Sequence, residues 1–231
     1  MSNLMRLEMK KFKLGSIIKG AIIANLIIAG MFVGILFISK AEGDIAFPNY
    51  AEALAAIDSL VRATFIIFAA ALIAKLIISE FKNKTISTLF LYPINRKKLI
   101  VAKLAIVVLF TFCAIVISNV FVTATFAFMT SRFDLIPDTL TMTTIAQHTP
   151  AVLMNAIAAS GMCLIPLYFG MKKHSITTTI ISSILIVMVV SSNNGNFSLN
   201  DIIIIPISLA LIGIGVAYFT IRNIEKADVK Y

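Results

Sequence analysis

Charge is scarce in this chain: 13% of its 231 residues are Asp, Glu, Lys or Arg, 59% are hydrophobic, and the mean hydropathy is +0.98. A soluble globular domain carries about 25% charged residues, so that class is excluded. Catalytic motifs are scarce too. There is no GxxxxGK loop followed by Ser or Thr, so the chain does not bind and hydrolyse ATP by a P-loop mechanism. A GxSxG nucleophile elbow and an HExxH pair are also absent. The two histidines, His148 and His174, fall at opposite faces of the membrane on the topology derived below, and so are not co-ligands. No acidic residue falls within the expected hydrocarbon core of any span, which argues against a proton- or sodium-driven carrier and ranks an intramembrane enzyme last. Both cysteines, Cys113 and Cys163, fall inside apolar spans, read as small packing residues and imply no disulfide.

What the chain does have is long apolar runs. A hydrocarbon core of roughly 30 Å takes about 20 helical residues. Six stretches suit it, near residues 17–38, 63–79, 104–128, 145–169, 176–190 and 202–221. Uninterrupted runs such as AIVVLFTFCAIVISNVFVTATFAFM favour helices over barrel strands, which alternate polar and apolar residues. The expected fold is an all-α polytopic bundle forming one transmembrane domain over residues 1–231. The first span, too long for a cleaved signal, is expected to stay in the mature protein. The fifth span is the shortest, and its hydroxyls at Thr177, Thr178, Thr179, Ser182 and Ser183 are expected to bond back to the helix or to a neighbour. The fourth holds Pro150, Pro166 and the small-residue run AIAASG, which fits either a helix that moves or ordinary close packing. AEALAAIDSL, after Pro48, reads as a short surface helix in the first external loop.

Charge orients the bundle. With both termini, the insert after span 2 and the Lys172 loop on one side, that side holds seventeen of the twenty Lys and Arg, leaving Lys40, Arg62 and Arg132 opposite. By the positive-inside rule the basic side, both termini included, is cytoplasmic. The net charge of +9 then reflects topology and anionic lipid, not nucleic acid. Residues 1–14 place Met1, Met5, Met9 and Phe12 at helical spacing among basic residues, the pattern of an interfacial amphipathic helix; a frayed basic tail is the alternative. Lys75 is expected to snorkel to the cytoplasmic interface.

The insert itself, EFKNKTISTLFLYPINRKKLIVAK over residues 80–103, has more order than a basic loop needs. Glu80 closes span 2 and can pair with Lys84 at i+4; Thr85, Ile86, Leu89 and Phe90 form an apolar strip on a short helix that Pro93 ends; Asn95 can cap a helix through Arg96, Lys97 and Lys98 that enters span 3 past Lys103. An acid, a Thr, a Leu-rich run ending in Pro, an Asn with Arg and a Lys before span 3 follow in that order. Glu80, Thr85, Leu89, Leu91, Pro93, Asn95, Arg96 and Lys103 thereby resemble the cytoplasmic coupling segment of ABC-type-2 exporter permeases, with Lys84 in place of the usual Gly.

The resemblance implies a membrane subunit that lacks its motor. A second permease chain, identical or not, would pair with it, and a separate ABC ATPase would dock on the insert through Glu80, Lys84, Thr85, Leu89, Pro93, Arg96 and Lys103. This chain would bind no cofactor, ATP and Mg residing on the partner. The small external loops are similar to those of permeases that export bacitracin, lantibiotics or cytolytic peptides, which implies an amphipathic peptide or drug as substrate. The alternative is a non-transporting assembly or regulatory protein that uses the insert to hold another protein.

Overall fold

The computed structural model describes residues 14–43, 45–83, 96–133, 141–191, 193–194, 197–198 and 204–227. Its helices are α1 (Leu14–Glu42), α2 (Tyr50–Ile73), which runs through a π-helical turn (Ala74–Ile78) into α3 (Ser79–Lys82), then α4 (Arg96–Phe133), α5 (Met142–Met162), α6 (Ile165–Lys173), α7 (Ile176–Val190) and α8 (Ile204–Ala227). Between α7 and α8, β1 (Asn193–Asn194) pairs antiparallel with β2 (Phe197–Ser198). Apart from Leu14, the expected interfacial helix of residues 1–14 lies outside the described residues.

Among the described residues, four helical stretches are long and apolar enough to cross a membrane: Ile17–Glu42, Tyr50–Lys82, Lys97–Phe133 and Met142–Lys173. Two shorter apolar helices, Ile176–Val190 and Pro206–Arg222, fall where the fifth and sixth spans were expected. The side chains are arranged for lipid. On α7 the hydroxyl residues Thr179, Ser182 and Ser183 are buried, while Ile181, Leu185, Met188 and Val189 are exposed. The buried hydroxyls donate to carbonyls of their own helix: Thr179 to Ser175 at 3.0 Å, Ser182 to Thr179 at 2.9 Å and Ser183 to Ile180 at 2.7 Å. Lipid tails are as apolar as leucine, so the aliphatic face loses nothing by facing outward and the small polar face packs inward. Lys75 is exposed, as snorkelling requires.

Two expectations about the spans change. The run AEALAAIDSL is not a separate surface helix: it opens α2, and Ala53, Leu54 and Ile57 are buried. Span 2 therefore begins at Tyr50, well before residue 63. The fourth span is a broken helix, not a kinked one. Pro166 occupies the first turn of α6, where its missing N–H costs nothing, and Cys163 and Leu164 form the turn between α5 and α6.

The chain divides into two compact units. Unit one comprises residues Met1–Leu14, Phe65–Phe112 and Ile157–Tyr231; unit two comprises Gly15–Thr64 and Cys113–Ala156. In unit one α5 and α8 meet at glycines. A Cβ on Gly213 would lie 2.1 Å from the Gly161 carbonyl oxygen, and one on Gly161 would lie 2.7 Å from the Ala210 Cβ. The small faces of spans 4 and 6 are thus spent at these positions on one another; Gly215, with open space around it, is not. In unit two Phe126 is ringed by Phe32, Phe47 and Tyr50, with ring centroids 6.2, 6.2 and 6.4 Å away in edge-on geometry. The Tyr50 hydroxyl donates to Thr130 Oγ1 at 2.8 Å, and Lys40 Nζ donates to the Phe133 carbonyl at 2.7 Å.

Candidate functional site

The π turn at Ala74–Ile78 admits one extra residue per turn and so re-registers the helix just before Glu80. Into it reaches Lys103, from the second turn of α4. Its ammonium donates to the Leu76 carbonyl at 3.1 Å and to Glu80 Oε2. Lys103 is 2% exposed and Glu80 7%. Burying two charges costs several kcal/mol per ion unless they meet in good geometry with their remaining hydrogen-bonding capacity met, and the direct Lys103–Glu80 bond with the added Leu76 acceptor supplies that. The first and last residues of the insert are therefore clasped together, with the chain between them leaving at Asn83, where α3 ends, and returning at Arg96, where α4 starts.

Neighbouring elements hold the π turn in place. A Cβ on Gly170 of α6 would lie 3.0 Å from Ile78 Cδ1 and 2.2 Å from Thr179 Oγ1 of α7, so only glycine allows α6 to seat against both. The α6–α7 corner is built for the reversal. His174 adopts the left-handed conformation at φ 45°, which closes α6, and Ser175 caps α7 by accepting from the Thr178 N–H at 3.4 Å. The Phe81 and His174 rings lie 6.2 Å apart, joining α3 to that corner.

Of the residues singled out in the sequence, Glu80 and Lys103 come together. The pairing of Glu80 across 23 positions with Lys103 was not anticipated; Lys84, its expected i+4 partner, lies outside the described residues. So do Thr85, Leu89, Leu91, Pro93 and Asn95, and with them the expected helix to Tyr92. Arg96 is the first residue of α4, which continues through Lys103 to Phe133 as one helix.

The model of the ABC-2 family transporter proteins matches residues 4–191, a span that contains the whole insert and its clasp. The chain belongs to the ABC-2 transporter family. A relative from Bacillus subtilis (strain 168), whose printed name is "Uncharacterized protein YcbO", is 46% identical over 226 residues, covering 98% of this chain and 99% of its own length. No solved structure matches. As an ABC-2 family member with several long apolar helices, the chain is a multi-pass membrane protein and the permease component of a transporter.

A second buried ion pair, in unit two, escaped the sequence reading. Asp58 and Arg62 of α2 are each 3% exposed, and Asn119 of α4 and Asn155 of α5 both donate to the Asp58 carboxylate. A buried carboxylate inside a long apolar helix corrects the expectation that no acid lies within a span. The signal was present: an i,i+4 acid–base pair in an apolar helical run, and single asparagines midway along two other spans.

Proposed function

We propose that this ABC-2 permease is the membrane-spanning half of an ATP-driven exporter, with residues 80–103 forming the segment on which a separate ABC ATPase docks. The observation that carries the reading is the Lys103–Glu80–Leu76 clasp. A loop that merely joins two spans needs no buried ion pair at its base. A segment that must transmit force does, because displacement of its tip is passed to α3 and α4 only if its two ends are fixed to one another. Lys84, Thr85, Leu89, Pro93 and Arg96 then offer an apolar and basic surface to the ATPase, while Glu80 and Lys103 act from beneath as positioning residues. Both termini and the insert face the cytoplasm by the positive-inside rule. Two permease chains pair, ATP and Mg stay on the partner subunits, and the substrate is an amphipathic molecule: an antimicrobial or cytolytic peptide, or a drug.

The test is a mild-detergent pull-down of the tagged chain from its native membrane, followed by mass spectrometry and an ATPase assay of the eluate. Co-purification of a P-loop ATPase, lost on Arg96→Glu and retained by an exposed charge-removing variant elsewhere such as Lys172→Gln, is the expected result. A well-folded chain that brings down no ATPase points instead to the assembly or regulatory role.

A further inference from the structure

The π turn at Ala74–Ile78 is held by side chains as well as by its own backbone. The Ser79 N–H passes over the Lys75 carbonyl, its i−4 partner in an α-helix, and donates to Ala74 at i−5. The Lys75 carbonyl takes the Ser79 hydroxyl, and the Leu76 carbonyl takes the Lys103 ammonium at 3.1 Å. In an α register neither side chain is needed, because the Ser79 and Glu80 N–H groups serve those two carbonyls themselves. The two registers therefore differ little in hydrogen bonds made, and two side-chain donors, Ser79 and Lys103, tip the balance toward π. The turn also sits where a change of register is felt. Ile78 is wholly buried against Gly170, α6 and α7 both pack on the turn, and Phe81 just beyond it meets the His174 ring.

We propose that this turn is a register switch and that Ser79 is the positioning residue that sets it. One residue of α-helix is about 100° of rotation and about 1.5 Å of rise. When the extra residue of the turn is taken up into the α ladder, Ser79 to Lys82 turn by about that angle relative to the residues before Ala74. The Lys103–Glu80 pair stays made and moves with α3; the bonds exchanged are Ser79 to Lys75 and Lys103 to Leu76. Displacement at the insert is thus passed on as a step between two packed settings, and Ile78 and Phe81 carry it to α6 and α7. This inference rests on the reading of residues 80–103 as an ATPase docking segment only for what throws the switch; its test uses the full chain without an ATPase, so the two can fail separately.

The experiment measures, by pulsed electron paramagnetic resonance in lipid nanodiscs, the distance between nitroxide labels at Lys82→Cys and Lys172→Cys. Both positions are exposed and lie in unit one, and Cys113 and Cys163 are replaced by alanine. A change of register carries the Lys82 Cα about 3.5 Å and a label on it farther. The distance of the π register is expected to predominate. Ser79→Ala should raise the population at a second distance about fivefold, the worth of one hydrogen bond; Ser79→Thr, able to bond back to i−4 as Thr111 does to Val107, should leave it unchanged. Lys103→Met combined with Glu80→Gln should raise it further. Deleting Lys75 leaves the turn no residue to spare, so the first distance alone is expected, where an ordinary helix would rotate to a new one. One distance in every variant, an equal shift with Ser79→Thr, or a new distance on deleting Lys75 each overturns the proposal. The deletion and the serine variants are independent, so the test stands even if one of them does not fold. A switching chain with no co-purifying ATPase would leave the switch standing and remove the motor-coupled reading; an ATPase bound to a chain of one fixed distance would do the opposite.

Discussion

Unit one and unit two each bury an acid–base pair, and they build it differently. Glu80 and Lys103 come from opposite ends of a 24-residue insert and meet directly, with the Leu76 carbonyl taking a further donor from the ammonium. Asp58 and Arg62 are neighbours on one helix, with Arg62 Nη1 3.8 Å from Asp58 Oδ2, and the carboxylate also accepts from two amides, one from α4 and one from α5. A closed pair is a fastening: its energy lies in staying made, because either partner alone would be a buried charge. A pair whose carboxylate is shared with amides from two other helices ties three helices together. The difference separates a fastening that closes the base of one insert from one that is shared among α2, α4 and α5.

That contrast can be broken most directly at Lys103. Lys103→Met leaves Glu80 buried without its ammonium and is expected to destabilise the chain by about 3–5 kcal/mol, read as a lowered Tm in detergent; adding Glu80→Gln should recover most of the loss. Full stability of the single variant would show that the clasp is not a fastening. Next in size is the glycine contact of unit one. Gly213→Ala drives a Cβ to 2.1 Å from the Gly161 carbonyl oxygen, so α8 must shift, at about 1–3 kcal/mol and with a fall in the yield of monodisperse protein on size exclusion. Smallest, and opposite in sign, is Gly215→Ala: with nothing within 4 Å to obstruct it, relief of helix-interior glycine should stabilise by about 0.5–1 kcal/mol.

Much of the architecture was legible in the residues. The apolar runs marked the helices, the hydroxyls of α7 bond back to their own helix as expected, and Glu80 and Lys103 were named as members of one functional segment. What was not legible was pairing. Lys84 is the near partner that helical spacing offers Glu80, and no local rule points to Lys103, 23 residues away. Asp58 was hidden by the acids of its own surroundings: beside Glu42, Asp44 and Glu52, it looked like one more loop carboxylate, although the helical run around it had the composition of a buried face.

The sequence by itself determined that this protein lives in a membrane, how many apolar stretches it can offer and which end of each is basic, since hydropathy and charge are properties of residues one at a time and the bilayer sorts them by depth. It determined too that no ATP-binding loop of the P-loop kind is present. Only the tertiary structure decided which small faces are spent, Gly161 on Gly213, and which buried charges meet, Glu80 with Lys103 and Asp58 with Arg62. The reason is physical. In lipid, apolar burial does not choose between one helix contact and another, so close approach and hydrogen bonding choose instead, and both are facts about pairs of residues that become neighbours only when the chain is folded.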